Sequence, residues 1–78
     1  SGVNESGNRI TILHKNIPNM IGQLTAVLAK ENMNISLMTN KSRKEYAYTM
    51  IDVEAEVPME VEEQLSAIDG VLKIRVIK

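Results

Sequence analysis

Seventy-eight residues with a formal charge of −1 describe one small domain, and a chain of this size buries only about 60% of its unfolded surface, which makes self-association a natural supplement. With no Phe or Trp and no basic excess, the composition lacks the stacking rings and positive field that nucleic-acid binding uses. The absence of Cys and the single His exclude disulfides, thiolate catalysis and zinc-type ligand sets, so no metal is expected.

No apolar run approaches the roughly 18 residues of a membrane span, and no signal-like pattern opens the chain. A cytoplasmic setting without membrane contact is therefore expected. Residues 1–7, Ser-Gly-Val-Asn-Glu-Ser-Gly, are small and polar and read as a flexible linker or cloning remnant outside the fold. The domain proper is expected over residues 8–78.

From Arg9 to His14 the β-branched residues place Ile10 and Ile12 on one face of a half-buried strand, which Pro18 and Asn19 stop. Between Met20 and Glu31 the apolar Met20, Ile21, Leu24, Val27 and Leu28 recur at spacings of three and four, the stripe of an amphipathic helix. Asn19 is its expected N-cap. Asn32 ends it, because Asn tolerates the left-handed backbone of a C-terminal cap. Gly22 in the first turn costs about 1 kcal/mol against Ala, so it asks for a close approach by a ligand or a second backbone.

Ile35–Thr39 and Tyr46–Glu54 read as strands joined by a charged hairpin connection over residues 40–45. In the second of these, Ala47, Thr49, Ile51 and Val53 alternate with Tyr46, Tyr48, Met50 and Asp52. Lys41, Arg43 and Lys44 are expected in the solvated turn. Pro58 opens a short helix carrying Val61, Leu65 and Ile68, and Asp69-Gly70 terminates it before a last strand, Val71–Ile77. Leu72, Ile74 and Val76 are expected to share one face of that strand, with Lys73 and Arg75 on the other.

The order β-α-β-β-α-β is the ferredoxin-like plan of the α+β class, a four-stranded antiparallel sheet with two helices on one face. Its strands lie in the order 4-1-3-2, so the end of strand 1 and the start of strand 2 fall at opposite ends of the sheet. The bend His14-Lys15-Asn16-Ile17-Pro18-Asn19-Met20-Ile21 gathers the lone His, a Pro and two Asn, a small-molecule grip in miniature. Asn34 and Ile35 open strand 2, and a helix of about 12 residues rising roughly 1.5 Å each puts them on the order of 18 Å from the bend. One copy cannot close both on one small ligand. Two copies can, if residues 34–40 pair edge to edge about a two-fold axis with helix 20–31 alongside, which also hides an open sheet edge.

In such a site the backbone N–H groups at the helix start would receive a carboxylate. The amides of Asn16 and Asn34 would accept from an ammonium group, and His14 would donate or accept.

His14-x-Asn16-x-Pro18, Gly22-x-Leu24, Asn34-Ile35, Asn40-Lys41-Ser42-Arg43, Ala47-Tyr48-Thr49 and Ile68-Asp69-Gly70-Val71 together resemble the ACT domain of bacterial D-3-phosphoglycerate dehydrogenases, over Ile10 to Ile77. The resemblance implies a regulatory module that binds L-serine or another small amino acid between two ACT domains and slows the catalytic domains of its parent chain. It implies effector contacts at His14, Asn16 and Asn34, with Ile17, Pro18, Asn19, Met20, Ile21 and Ile35 around them. NAD would belong to the parent enzyme, and no cofactor or catalytic residue is expected in this segment. Where many ACT domains carry Pro-Gly at the helix start, this chain has Pro18-Asn19 and depends on Asn adopting a left-handed conformation. The alternatives are a purely structural dimerisation module, or the ACT domain of another amino-acid enzyme such as a serine dehydratase. A small stand-alone hydrolase is disfavoured by the lack of an Arg–Asn phosphate cradle in the first loop.

Overall fold

The computed structural model describes residues 7–78. Alternation builds its centre: in β1 (Arg9–Lys15) the side chains of Ile10, Ile12 and His14 are buried on one face. In β3 (Tyr46–Val53), Ala47, Thr49, Ile51 and Val53 are buried on that same face. These two strands pair antiparallel, and β4 (Val71–Ile77) and β2 (Ile35–Arg43) flank them in the order β2-β3-β1-β4. This is the expected ferredoxin-like order.

Two helices cover the buried face. In α1 (Met20–Lys30) the stripe Met20, Leu24, Leu28 is buried, and in α2 (Met59–Ser66) Val61 and Leu65 are buried. Together with Ile10, Ile12, Ile51, Val53 and Val57 they form the core. Each such aliphatic side chain contributes about 1.5–3 kcal/mol relative to exposure. Truncating Leu24 or Leu28 to Ala would cost about 2–5 kcal/mol through lost contact and cavity.

The C-terminus of α1 closes as anticipated around Asn32, whose φ of 59° is left-handed. Asn32 N–H donates to the Ala29 carbonyl at 3.0 Å and Met33 N–H to the Leu28 carbonyl at 2.9 Å, the paired bonds of a Schellman cap. At α2, Pro58 occupies the N-cap position, and Glu60 and Glu62 lie in the first turn, where negative charge complements the helix dipole.

Four sequence expectations change. Gly7, placed with the lead-in, is buried, and its carbonyl accepts from Val57 N–H at 2.9 Å; residues 1–6 lie outside the described residues. The turn between β2 and β3 is only Lys44-Glu45, with Lys44 at φ 59°, because Asn40, Lys41, Ser42 and Arg43 pair with Thr49, Tyr48, Ala47 and Tyr46. In β4 the register against β1 shifts between Leu13 and His14, so the extra residue Leu72 is turned outward at 49% exposure. Val71, Ile74 and Val76 pack against the core instead. Ile68 packs there from beyond the end of α2.

The helices leave one strand bare. Every residue of β2 is exposed, including Ile35, Leu37 and Met38 at 38%, 47% and 40%. Nine residues at a sheet edge without Pro leave backbone groups ready to pair with another strand. Among the described residues no helix is long and apolar enough to cross a membrane.

Candidate functional site

The bend between β1 and α1 is anchored to the opposite hairpin. Asn16 N–H donates to the Glu45 carbonyl at 2.7 Å, and Asn16 Nδ2 donates to the Lys44 carbonyl at 3.1 Å. Lys15 N–H donates to the Gly70 carbonyl at 2.8 Å. Gly70 has a φ of 100°, and a β-carbon there would lie 2.8 Å from Met20 Cε and 3.0 Å from Ile17 Cδ1. Glycine is thus required twice, by backbone and by space, and it seats the two apolar side chains of the bend. Ile17 stays 39% exposed and, with Lys15, Asn16, Glu45 and Tyr46, lines a hollow of about 400 Å³.

Asn19 is left-handed, at φ 65° and ψ 9°, and its side chain makes no capping hydrogen bond. The expected side-chain N-cap is therefore replaced by a left-handed entry to the helix, the conformation for which other sequences use Gly. The side chain lies over Gly22 instead: a β-carbon on Gly22 would fall 2.6 Å from Asn19 Oδ1. Gly22 thus makes room for a side chain of its own helix entry rather than for a second backbone. The first i→i−4 bond of the helix is Gln23 N–H to the Asn19 carbonyl at 3.0 Å, Met20 N–H turns back to the Ile17 carbonyl at 3.4 Å, and Ile21 and Gly22 N–H have no acceptor among the described residues. A helix start in that condition attracts an anion.

His14 is drawn inward. It is 2% exposed, with Nδ1 2.8 Å from the Lys15 carbonyl and Nε2 2.7 Å from Thr49 Oγ1. Asn40 Nδ2 donates to that same Oγ1 at 2.7 Å. The Lys15 carbonyl can only accept, which assigns the proton to Nδ1 and makes Thr49 the donor to Nε2. One line of hydrogen bonds thus runs Asn40 to Thr49 to His14 to the Lys15 carbonyl. Both ring nitrogens are occupied, so in this structure His14 fixes the end of β1 rather than presenting a nitrogen to a ligand. Met20, likewise considered for a pocket wall, is 2% exposed and belongs to the core.

Thr49 and Asn40 are the polar partners that the sequence reading did not single out. The available signal was Thr49 itself, a hydroxyl among Ala47, Ile51 and Val53 on a face that is otherwise apolar. Pro18, Asn16 and Asn34 are exposed, and Ile21 is half-buried.

Asn34 and Ile35 lie elsewhere. Asn34 Nδ2 donates to Glu54 Oε1 at 3.4 Å, and Glu54 N–H donates to the Asn34 carbonyl at 3.0 Å. Lys15 pairs with Tyr46, whereas Ile35 pairs with Val53, so the whole length of β3 separates the bend from the start of β2. Its eight residues span about 24 Å. Within one chain the two halves of the expected grip stay apart. A groove of about 790 Å³ runs along α1 from Gly22 past Thr25, Ala26 and Ala29 to Asn34 and Ile35, beside the bare β2. Among the described residues no three His, Asp or Glu side chains gather into a metal-binding group.

Comparison with known proteins follows the same lines. The chain is 28% identical over 75 residues to the D-3-phosphoglycerate dehydrogenase of Dictyostelium discoideum, covering 96% of this chain and 18% of that protein. It thus spans less than a fifth of the curated relative it matches. No protein-family model matches. Among solved structures, the ACT domain from GTP pyrophosphokinase of Chlorobium tepidum superposes with a TM-score of 0.73 at 17% identity, covering 91% of this chain and 97% of that one. The small subunit of acetolactate synthase from Thermotoga maritima gives 0.75 at 20% identity, over 91% and 47% of the two chains. The regulatory subunit of aspartate kinase from Thermus thermophilus gives 0.67 at 14%, over 92% and 52%. The fold is the ACT-type fold, and the resemblance to D-3-phosphoglycerate dehydrogenase extends over nearly the whole chain.

Proposed function

We propose that this ACT-fold chain is an amino-acid-sensing regulatory domain, that its effector is L-serine, and that it works as a homodimer. The observation that carries the proposal is the separation of Asn16 and Asn34 to opposite ends of the sheet, combined with a β2 edge on which no residue is buried. Pairing two β2 edges about a two-fold axis places Asn34 of one copy at the Asn16 bend of the other and creates two equivalent sites. The effector carboxylate is then received by the N–H groups of Ile21 and Gly22, and the amide oxygens of Asn16 and of the second copy's strand opening accept from its ammonium group. Ile17, Pro18, Asn19 and Ile35 form the surrounding wall, and His14 positions the bend.

The parent enzyme in this reading is a D-3-phosphoglycerate dehydrogenase of the cytoplasm, whose NAD and catalytic residues lie outside the present segment. Serine that binds one arrangement of the paired domains more tightly shifts the population, and the attached catalytic domains follow. A coupling of about 1–3 kcal/mol suffices.

Complementation tests this. Asn16→Ala and Asn34→Ala should each weaken serine binding in isothermal titration by about 10- to 100-fold, the loss of a hydrogen bond to a charged group. An equimolar, re-equilibrated mixture should regain about a quarter of the parent's tight sites, because half the dimers are mixed and each mixed dimer has one intact site. A mixture no better than its components would refute the shared site. Concentration-dependent dimerisation with no heat from any amino acid would point to a purely structural module.

A further inference from the structure

We propose that the open face of the sheet, opposite the helices, is a docking surface for an acidic polypeptide segment bearing apolar or aromatic anchors. Strand register places Arg9 and Lys15 of β1, Lys41 and Arg43 of β2, and Lys73 and Arg75 of β4 on this face, together with Asp52. Six cations against one carboxylate give the face +5. The remaining three cations against nine carboxylates leave the rest of the chain at −6. A net charge of −1 therefore conceals a strongly polarised molecule. Asp52 is already engaged, with Arg9 Nε at 2.8 Å from its Oδ1, and the other five cations form no ion pair among the described residues.

Between the cations lies an aromatic and aliphatic centre. Tyr46 and Tyr48 are 50% and 48% exposed and Leu13 is 39% exposed. Tyr48 pairs with Lys41 on one side and Leu13 on the other, and Leu13 pairs onward with Lys73. Leu13 and Tyr48 are the shared wall of two hollows, one of about 270 Å³ reaching Lys73 and Arg75 and one of about 390 Å³ reaching Lys41 and Arg43. An exposed apolar centre with a charged rim marks an interaction surface, and tyrosine and arginine are the residues that concentrate binding energy at protein interfaces.

Charge selects the occupant. A second copy cannot use the same face, because the rims would repel. A nucleic acid would find two rings, both on one strand, with Leu13, Leu37 and Ile77 rather than aromatics at the other exposed apolar positions, and a −6 field from the remainder of the chain. Carboxylates around apolar anchors match both the rim and the centre.

The experiment titrates the chain with a random copolymer of glutamate and tyrosine, with polyglutamate and with oligothymidylate, recording amide NMR shifts and binding heats. The copolymer should perturb Lys41, Arg43, Tyr46, Tyr48, Lys73 and Arg75 selectively, and its affinity should fall as salt is raised. It should bind more tightly than polyglutamate, which lacks anchors. Lys73→Glu combined with Arg75→Glu, on the strand farthest from β2 and at residues outside the proposed serine site, should weaken the copolymer about tenfold or more. The same variant should keep the parent's amide spectrum elsewhere and its response to serine. The proposal fails if the copolymer leaves this face unperturbed, if the double variant binds it as the parent does, or if oligothymidylate binds more tightly.

Discussion

Asn19 Oδ1 lies 2.6 Å from the point where a β-carbon on Gly22 would sit. The pair explains a glycine that helix propensity alone disfavours by about 1 kcal/mol. The obstructing atom is the end of a short exposed side chain, which can rotate away. Gly22→Ala should therefore raise the stability of the domain by about 0.5–1 kcal/mol in urea unfolding. It should at the same time weaken serine binding, because the displaced Asn19 amide crowds the helix start. An affinity unchanged alongside raised stability would show that the entry to α1 is not part of the site.

The hydrogen-bonded line through Thr49 makes a second prediction. Thr49 is fully buried and serves both His14 and Asn40. Thr49→Val keeps the shape and removes both partners' hydrogen bonds, leaving His14 Nε2 buried without a donor. The cost should be about 1–3 kcal/mol of unfolding free energy, and Thr49→Ser should recover most of it. Loss of serine affinity in the valine variant, measured where both proteins are fully folded, would show that His14 positions the bend.

The Arg9–Asp52 pair, the one ion pair among the described residues, gives a pH dependence. Hydrogen bonding to Arg9 holds the Asp52 carboxyl below its ordinary range, and the same contact raises the Arg9 guanidinium. A carboxyl with a depressed folded value adds stability that is complete above its unfolded pKa and disappears as pH falls through the folded value. The pair's contribution should thus be constant near neutrality and be lost below about pH 4. Comparing urea midpoints of the parent and Asp52→Asn from pH 6 to pH 3 checks this. The two curves should converge in acid, and added salt should shrink the gap at pH 6 because the pair is exposed.

The architecture was legible where one periodicity dominated. Ile10 and Ile12 against Thr11 and Leu13, and the stripe Met20, Leu24, Leu28, carry their elements in local sequence, and Asn32 announces its left-handed cap. The second half of β2 was not legible, because Asn40-Lys41-Ser42-Arg43 has a turn's composition. What makes it a strand is pairing with Tyr46–Thr49, and the two-residue turn uses Lys44 where Gly or Asn would have signalled it. Leu72 was misplaced because it is the extra residue of a bulge, which breaks the alternation between Val71 and Ile74. At the candidate site, the separation of Asn16 from Asn34 followed from topology alone. The inward turn of His14 did not, since its partner Thr49 is 35 residues away.

The backbone of Gly7 lies against that of Ile77, and Arg9 pairs with Ile77, so the two ends of the described chain meet at one corner of the sheet. The Asn16 bend lies at the other end of β1, whose seven residues put it about 20 Å away. If the proposed parent chain continues from that corner, the module would act as a lever. In the proposed regulatory reading, a ligand at the far tip would act on attached domains by rotation about that corner, and the length of the arm would magnify small rotations where two such tips meet.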